Sequence, residues 1–242
     1  MQIKISFSSD NNIILPIHYN NIVQAFIYNN IDEDLADFLH NEGYTDKRRK
    51  FKLFTFSRIL TRGRIKERYF NFGKKLELIV SSPLERFCKT IGNSMLQKEK
   101  LYLGKNDVKV EQIQILNPLA EKNEMIIETL SPIVAYSTFL RPNGSKYTCY
   151  FEPVESDFKR IVSENLVRKY NALYNTDLEF DVGIEIESIG KFKMNLTYYK
   201  NFLIRGASGR FLIKGNKDLL QLALDAGLGS KNSQGFGCIK II

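Results

Sequence analysis

The sequence predicts an α+β fold built from two consecutive βαββαβ units, residues 1–117 and residues 118–242. Three observations support this prediction. Segments with strand and helix periodicity follow one another in the same order in both halves, although no direct sequence repeat is visible. Asn117-Pro118 marks a boundary between the halves. The chain has 242 residues, 43% of them apolar, which is enough for two hydrophobic cores.

The first half begins with a strand over 2–7, where every second residue is apolar. Apolar residues at helical spacing predict a helix around Ile22–Ile27 that ends at about Asn30. Asp32 is expected to cap a second, short helix, which Gly43 ends. Four further elements are expected: a strand within 51–60, a hairpin over 64–80 that turns near 71–74, a helix that opens at Pro83, and a strand over 101–116.

The second half repeats this order of elements. Pro153 precedes a helix whose apolar residues run from Val154 to Leu173, and a shorter helix is expected over Lys217–Ala226. Strands are expected over 125–130, 133–140, 146–151, 178–189, 202–214 and 236–242.

The net charge of +8 comes from one segment of the chain. Residues 41–75 hold twelve Lys and Arg side chains and three acidic ones, a net charge of +9, while the rest of the chain carries −1. A clustered excess of this kind is typical of proteins that bind a phosphate backbone. The predicted contacts to nucleic acid are Lys47, Arg48, Arg49 and Lys50 in this segment, and Arg205, Arg210 and Lys214 in a later strand pair.

The composition also excludes several classes of protein. Three isolated cysteines and two histidines give neither zinc-finger spacing nor a histidine-rich metal site, and a disulfide framework is not expected. No apolar run approaches the ~18 residues of a membrane span, and no secretory signal is recognised. These features predict a cytoplasmic protein that does not bind a membrane and carries no metal or other cofactor.

The most specific motif lies near the C-terminus, where two Gly-apolar-Gly units flank five small or turn-forming residues. Glycines allow a phosphate to approach the backbone closely, and the residues between them offer charge and hydrogen bonds. The segment lacks the G-x-x-x-x-G-K-[ST] pattern of a nucleotide P-loop. It echoes the RNP1 strand of an RRM, but no further helix and strand follow it, which argues against an ordinary RRM. The predicted RNA contacts here are Gly227, Gly229, Ser230, Lys231, Asn232, Ser233, Gly235 and Gly237.

The segment Ala226–Gly237 resembles the glycine-rich signature of the CRISPR repeat-processing endoribonucleases, which belong to the repeat-associated RNA-binding superfamily of prokaryotes. The resemblance extends over essentially the whole chain and includes Gln24–Asn29, Asp37–His40, Phe51–Phe56 and Thr129–Ile133. It implies two ferredoxin-like domains that face each other and bind CRISPR repeat RNA. It also implies one metal-independent cut within each repeat of precursor CRISPR RNA.

The resemblance further implies a catalytic histidine, tyrosine and lysine, and His40, Tyr28 and Lys52 occupy the matching positions. Without a metal, the 2′-hydroxyl of the RNA can attack the adjacent phosphate, leaving a 2′,3′-cyclic phosphate and a 5′-hydroxyl. His40 is expected to act as general base and Lys52 to stabilise the developing charge. Tyr28 is expected to orient or protonate the leaving oxygen, although the roles of tyrosine and lysine are interchangeable at this stage.

The spacing of Tyr28 and His40 sets a geometric condition on this site. Twelve residues of unbroken helix would hold the two side chains about 18 Å apart. A reversal of the chain within Asn29–Asp32 is therefore required.

Two other functions remain open at this stage. One is a non-catalytic protein that holds repeat or guide RNA in a CRISPR effector complex, and the other is a generic RNA-binding protein. Contacts with effector complex proteins and formation of a homodimer are also compatible with the resemblance. His18 is expected to be structural.

Overall fold

A computed structural model describes residues 1–242, and the strands of its first half are short apart from three. These strands are β1 Gln2–Ser8, β2 Ile14–Pro16, β3 Tyr44–Asp46, β4 Arg49–Phe51, β5 Thr55–Phe56, β6 Arg64–Lys66, β7 Tyr69–Asn71, β8 Lys75–Ser81, β9 Leu101–Leu103 and β10 Asn106–Ile115. The helices are α1 Asn20–Tyr28, α2 Glu33–Asp37 and α3 Glu85–Gln97, and a π-helical turn, Phe38–Glu42, directly follows α2.

The second half contains longer strands and the longest helix of the chain. Its strands are β11 Glu124–Thr129, β12 Tyr136–Leu140, β13 Lys146–Tyr150, β14 Glu185–Tyr199, β15 Phe202–Lys214 and β16 Ile239–Ile241. Its helices are α4 Ser156–Tyr174 and α5 Lys217–Ala226, with 3-10 turns at Phe180–Val182 and Asn232–Gln234. None of the helices has both the length and the apolar character needed to cross a membrane.

Each half has one main antiparallel sheet, and the two sheets share one topology. The strand order is β5-β8-β1-β10-β9 in the first sheet and β14-β15-β11-β16 in the second. Apart from the short β9, both sheets place the strands of their unit in the order second, third, first, fourth. Helices connect the first strand to the second and the third to the fourth in both halves. The predicted α+β fold of two ferredoxin-like units is therefore confirmed.

The two halves bury separate hydrophobic cores that adjoin at Leu53-Phe54 and at Tyr44. The first core lies between the first sheet and its helices, and the second lies under the second sheet. Leu53 belongs to the core of the second half, whereas its neighbour Phe54 belongs to the core of the first. Both side chains are at most 4% exposed, and burial of each contributes about 1.5–3 kcal/mol. The backbone beside Lys52 is therefore held firmly between the two halves.

Several predicted elements have the expected position. The strand over 2–7, the end of α1 before Asn30 and the helix Lys217–Ala226 are confirmed. Asp32 caps α2 by accepting a hydrogen bond from the Leu35 backbone N–H at 3.1 Å. Gly43, with φ of +69°, ends the π-helical turn.

Other expected elements are wrong in their bounds or pairing. In place of the expected hairpin over 64–80, the shorter strands β6 and β7 pair and turn at Glu67-Arg68. The strand β8 pairs with β1 and not with β7. Gly104-Lys105 splits the expected strand over 101–116 into the hairpin β9–β10. The expected strand over 178–189 begins as a 3-10 turn, and β14 starts at Glu185 and continues past Gly190 to Tyr199. Of the expected strand over 51–60, Phe51 ends β4 and Thr55-Phe56 forms β5, while the rest joins no sheet. Of the expected strand over 236–242, only 239–241 joins a sheet.

Candidate active site

The break between α1 and α2 places Tyr28 and His40 next to each other. Asn30 closes the end of α1, because its buried side-chain amide donates to the Phe26 carbonyl at 2.8 Å. The Lys98 ammonium donates to the Asn30 amide oxygen at 2.9 Å and holds the turn from the other side. The Tyr28 and His40 rings are thus 6.1 Å apart between centroids, in an edge-to-face arrangement. The reversal required by the sequence spacing is present.

His40 lies in the π-helical turn and is exposed to solvent. Its Nδ1 is 2.9 Å from the side-chain oxygen of Asn41. In the tautomer with a proton on Nδ1, the ring donates this hydrogen bond, and the lone pair of Nε2 is left to accept a proton. Asn41 therefore suits His40 to the role of a base. This role of Asn41 could not be recognised from sequence, because an exposed asparagine carries no specific signal.

Lys52 reaches His40 from the segment held between the two cores. Its ammonium donates to the His40 backbone carbonyl at 2.6 Å. Partial burial and then the neighbouring charge of Lys50 lower the pKa of Lys52. This contact places the Lys52 cation beside the backbone of His40. A positive charge at this position favours binding of a phosphate next to the histidine.

Tyr28 is half-buried, and its ring packs edge-to-face on Phe54 with 5.6 Å between centroids. Burial, and then the proximity of Tyr199, raise the pKa of Tyr28 to about 12. The phenol therefore keeps its proton at neutral pH. It suits the role of a hydrogen-bond or proton donor and not that of a base.

The first part of the basic segment, residues 44–51, forms the short hairpin β3–β4. Lys47 and Arg48 are at its turn, and Arg49 and Lys50 are on β4. Asp46, which is buried, fixes this hairpin to α4 through an ion pair with Arg168 at 3.0 Å. The four basic side chains are exposed, and Lys47 lies 3.8 Å from the exposed Asp177 carboxylate.

A cleft of about 780 Å³ lies between the basic hairpin and the second half of the chain. Its walls come from β4 and the segment after it, from β12, from α4 and from the glycine-rich loop, residues 227–237. The predicted site residues that line the cleft are Arg49, Lys50, Lys52, Ser230, Lys231, Asn232 and Ser233. The structure therefore brings the basic segment and the glycine-rich loop together, although they are far apart in sequence.

The glycines of this loop do not face the cleft. Gly227, Gly229, Gly235 and Gly237 are all buried. A Cβ atom on Gly229 would lie 2.5 Å from the Val134 carbonyl oxygen, so the loop passes directly over the protein backbone. At Gly229 the close approach that glycine allows is made by the protein's own backbone. The predicted RNA contacts of the glycines stay a prediction.

The residues between the glycines divide into two groups. Asn232 is buried, and its amide donates to the Leu228 and Phe236 carbonyls at 3.0 Å each, so it braces the loop internally. Ser230, Lys231 and Ser233 are partly exposed. The Lys231 ammonium lies 5.0 Å from the centre of the Tyr136 ring, and burial lowers its pKa.

The later basic residues lie outside the cleft, and their contact with RNA stays a prediction. Each is paired with a carboxylate: Arg205 with Glu152 at 3.3 Å, Arg210 with Glu128 at 3.6 Å and Lys214 with Glu124 at 3.6 Å. The last two pairs connect residues on the neighbouring strands β11 and β15, and this pairing could not be known before the strand register was known. His18 has a packing role, with its ring 5.1 Å from Tyr198.

Lys169 is a functional candidate that sequence analysis missed. It is 2% exposed, and its ammonium donates to the carbonyls of Gly227 at 2.7 Å and Gly229 at 3.0 Å. Burial lowers the pKa of Lys169 to about 7. The available signal was its place on α4, one helical turn beyond the buried Asn165 and on the face that also carries Ile161 and Phe158. A lysine on an apolar face indicates a buried amine that needs backbone partners.

The lowered pKa of Lys169 predicts how stability depends on pH. From about pH 7 to about pH 10, the unfolded chain binds a proton that the native protein lacks, so the free energy of unfolding rises with pH. In Lys169→Met this dependence is absent. We expect the free energy of unfolding of wild type minus that of the variant to increase as the pH rises from about 7 to about 9, measured by urea unfolding.

Lys159→Met is the matched control for this experiment. Lys159 lies on the same helix but its side chain is 42% exposed, with Glu187 3.7 Å away. Its difference from wild type should stay constant over this pH range. A constant difference for Lys169→Met as well would show that Lys169 titrates normally.

Comparison with known proteins shows the family to which the chain belongs. The family model for CRISPR-associated protein Cas6, N-terminal, matches residues 14–114, and that for CRISPR-associated protein Cas6, C-terminal, matches residues 116–241. The chain is 31% identical to the CRISPR-associated endoribonuclease Cas6 1 of Methanocaldococcus jannaschii, over 99% of this chain and 92% of the relative. It is 27% identical to the CRISPR-associated endoribonuclease Cas6 of Pyrococcus furiosus, over 94% of this chain and 83% of the relative.

Solved structures agree with this assignment. The structure of a Cas6-related protein from Pyrococcus furiosus superposes with a TM-score of 0.84 at 26% identity, covering 100% of this chain and 98% of that one. The resemblance inferred from the sequence is confirmed. With both family models matched and the similarity extending over nearly its full length, the chain belongs to the Cas6 family of CRISPR-associated proteins.

Proposed function

We propose that this protein is an endoribonuclease that binds CRISPR repeat RNA and cuts precursor CRISPR RNA within each repeat. The observation that carries the proposal is that the Tyr28 and His40 rings are neighbours, and that Lys52, which lines a basic cleft, donates to the His40 backbone carbonyl. Three separate elements supply these side chains, and the names of the curated relatives describe the same activity.

The proposed reaction is an attack of the RNA 2′-hydroxyl on the adjacent phosphorus. His40 Nε2 removes the proton from this hydroxyl, and the bond between O2′ and phosphorus forms as the bond to O5′ breaks. Lys52 stabilises the negative charge that develops on the phosphate oxygens. Tyr28, protonated at neutral pH, donates to the departing 5′-oxygen. The products are a 2′,3′-cyclic phosphate and a 5′-hydroxyl, and the chain's own side chains supply every proton transfer without a metal.

The cleft is proposed to bind the RNA strand beside the scissile phosphate. Arg49 and Lys50 provide positive charge on one wall, and Lys231 with the hydroxyls of Ser230 and Ser233 provides contacts on the other. In this proposal the first domain, residues 1–117, carries the catalytic side chains, and the second domain, residues 118–242, carries the glycine-rich loop. Lys47 and Arg48 at the hairpin turn extend the basic surface beyond the cleft.

We also propose contacts with CRISPR effector complex proteins, a homodimer and a cytoplasmic location, which follow from the resemblance and the composition.

The proposal is tested with purified protein, a labelled RNA that contains the CRISPR repeat, and a shuffled RNA of the same composition, all in EDTA. We expect a single cut in the repeat RNA and none in the shuffled RNA. Tight binding of repeat RNA without any cut would instead identify a non-catalytic RNA-holding protein. Equal binding of both RNAs would identify a generic RNA-binding protein.

A further inference from the structure

One face of α1 connects the glycine-rich loop to the proposed active site. Asn20, Gln24 and Tyr28 are spaced by four residues, so they follow one another along the same side of the helix. The adjacent face carries Val23, Phe26 and Ile27, which are buried in the first core. Tyr28 itself packs on Phe54 of the first half, whereas the polar side chains Asn20 and Gln24 have their partners in the second half of the chain.

Hydrogen bonds from this face fix the helix to the loop. The Asn20 amide donates to the Gln234 carbonyl at 2.8 Å, and the Gln24 amide donates to the Ser233 carbonyl at 2.7 Å. The side-chain oxygen of Gln24 accepts a hydrogen bond from the Tyr199 hydroxyl at the end of β14. Gln24 thus uses both ends of its amide to join the helix, the loop and the second sheet.

We propose that Gln24 is a positioning residue for cleavage, which holds α1 so that the Tyr28 hydroxyl meets the leaving oxygen. The proposal rests on the proposed function of Tyr28. Gln24 lies one helical turn before Tyr28, and its two bonds resist rotation or sliding of α1 against the loop. Gln24 does not line the cleft, and it holds Ser233 by the backbone carbonyl and not by the hydroxyl proposed to contact RNA, so its effect on RNA binding is expected to be small.

The experiment separates positioning from binding. In Gln24→Ala, the single-turnover cleavage rate at saturating protein is expected to fall about 10-fold, because misplacement of a catalytic group by about 1 Å is enough for such a loss. The Kd for repeat RNA should change less than about 2-fold. Tyr199→Phe removes one hydroxyl with little effect on packing, and it is expected to lower the rate about 3-fold in the same direction.

A double variant shows whether Gln24 acts through Tyr28. Tyr28→Phe removes the hydroxyl that Gln24 is proposed to position, so adding Gln24→Ala should slow this variant by less than about 2-fold. Gln221→Ala is the matched control. This glutamine also joins separate segments, through the Pro118 carbonyl at 3.2 Å and the Asp225 carboxylate at 3.0 Å, but it is remote from the site. Its cleavage rate should equal that of wild type.

The outcomes are distinct. Wild-type protein that does not cut repeat RNA would overturn the proposed function. Wild-type protein that cuts, with Gln24→Ala and Tyr199→Phe cutting at the same rate, would overturn the positioning role alone. The positioning role would also be overturned if Gln24→Ala slowed Tyr28→Phe as much as it slows wild type, or if only Kd changed.

Discussion

Replacement of His40 by alanine is expected to lower the single-turnover cleavage of repeat RNA by about 10²–10⁴-fold. The imidazole is the group proposed to take the proton from the 2′-hydroxyl, and Lys52 and Tyr28 do not substitute for it. Lys52 is oriented by its bond to the His40 carbonyl, which is backbone and remains in the variant. RNA affinity should therefore change little, and a rate measured at saturating protein isolates the chemical step.

His18→Ala is the control for this substitution, because His18 is the other histidine of the chain. Its Nδ1 accepts a hydrogen bond from the Tyr198 backbone N–H at 3.2 Å, and its ring packs on Tyr198. Loss of this packing should leave cleavage within about 3-fold of wild type. Cleavage by His40→Ala at the wild-type rate would remove His40 from the mechanism.

The second large effect is expected at the closure of the glycine-rich loop. Gly237 has φ of +73°, and a Cβ atom there would lie 1.9 Å from the Leu228 carbonyl oxygen. The Leu228 backbone N–H donates to the Gly237 carbonyl at 2.9 Å, so the two ends of the loop cannot separate without losing this hydrogen bond. Gly237→Ala is expected to destabilise the protein by more than about 3 kcal/mol, since the clash adds to the backbone penalty of about 1–2 kcal/mol.

Gly190→Ala provides a matched control. Gly190 has a similar φ of +70°, but no atom lies within 4 Å of the place a Cβ would take. Its substitution should cost only the backbone penalty of about 1–2 kcal/mol and leave RNA binding intact. Urea unfolding of both variants measures the difference. Equal destabilisation would mean that the loop relaxes around the new methyl group, and that its tight packing is not required.

Sequence signals were sufficient to predict those parts of the site that are set by residues close together in the chain. Asn30 and Asp32 predicted the break between the first two helices, because their side chains satisfy helix ends within a few residues. The same holds for Gly43 as a helix terminator. Because a shared site for Tyr28 and His40 needs a chain reversal between them, this break allowed their proximity to be predicted before the fold was known.

Features that depend on distant parts of the chain could not be predicted in this way. The glycines of the loop are spaced as a phosphate site would be, and only the fold shows that the Val134 carbonyl occupies the space beside Gly229. The charge of Arg210 is visible in sequence, but its Glu128 partner is set by the register of β11 and β15. Lys169 is explained only once the loop lies over α4.

The small hairpin β3–β4 also depends on a distant part of the chain and could not be predicted from its own residues. Its charged residues do not alternate with apolar ones, so the sequence contains no strand signal there. The hairpin is held from outside by the ion pair between Asp46 and Arg168. Its position beside the glycine-rich loop turns the local excess of charge into one wall of the cleft.

The central claim is that side chains of this protein cut RNA by activating the RNA's own 2′-hydroxyl. The most direct test is a repeat RNA with a single 2′-deoxy nucleotide immediately before the cut bond, incubated with wild-type protein in EDTA. We expect the unmodified RNA to be cut there with a 2′,3′-cyclic phosphate and a 5′-hydroxyl, and the modified RNA to remain intact at that bond. Cleavage of the modified RNA at the same bond and rate would contradict the mechanism.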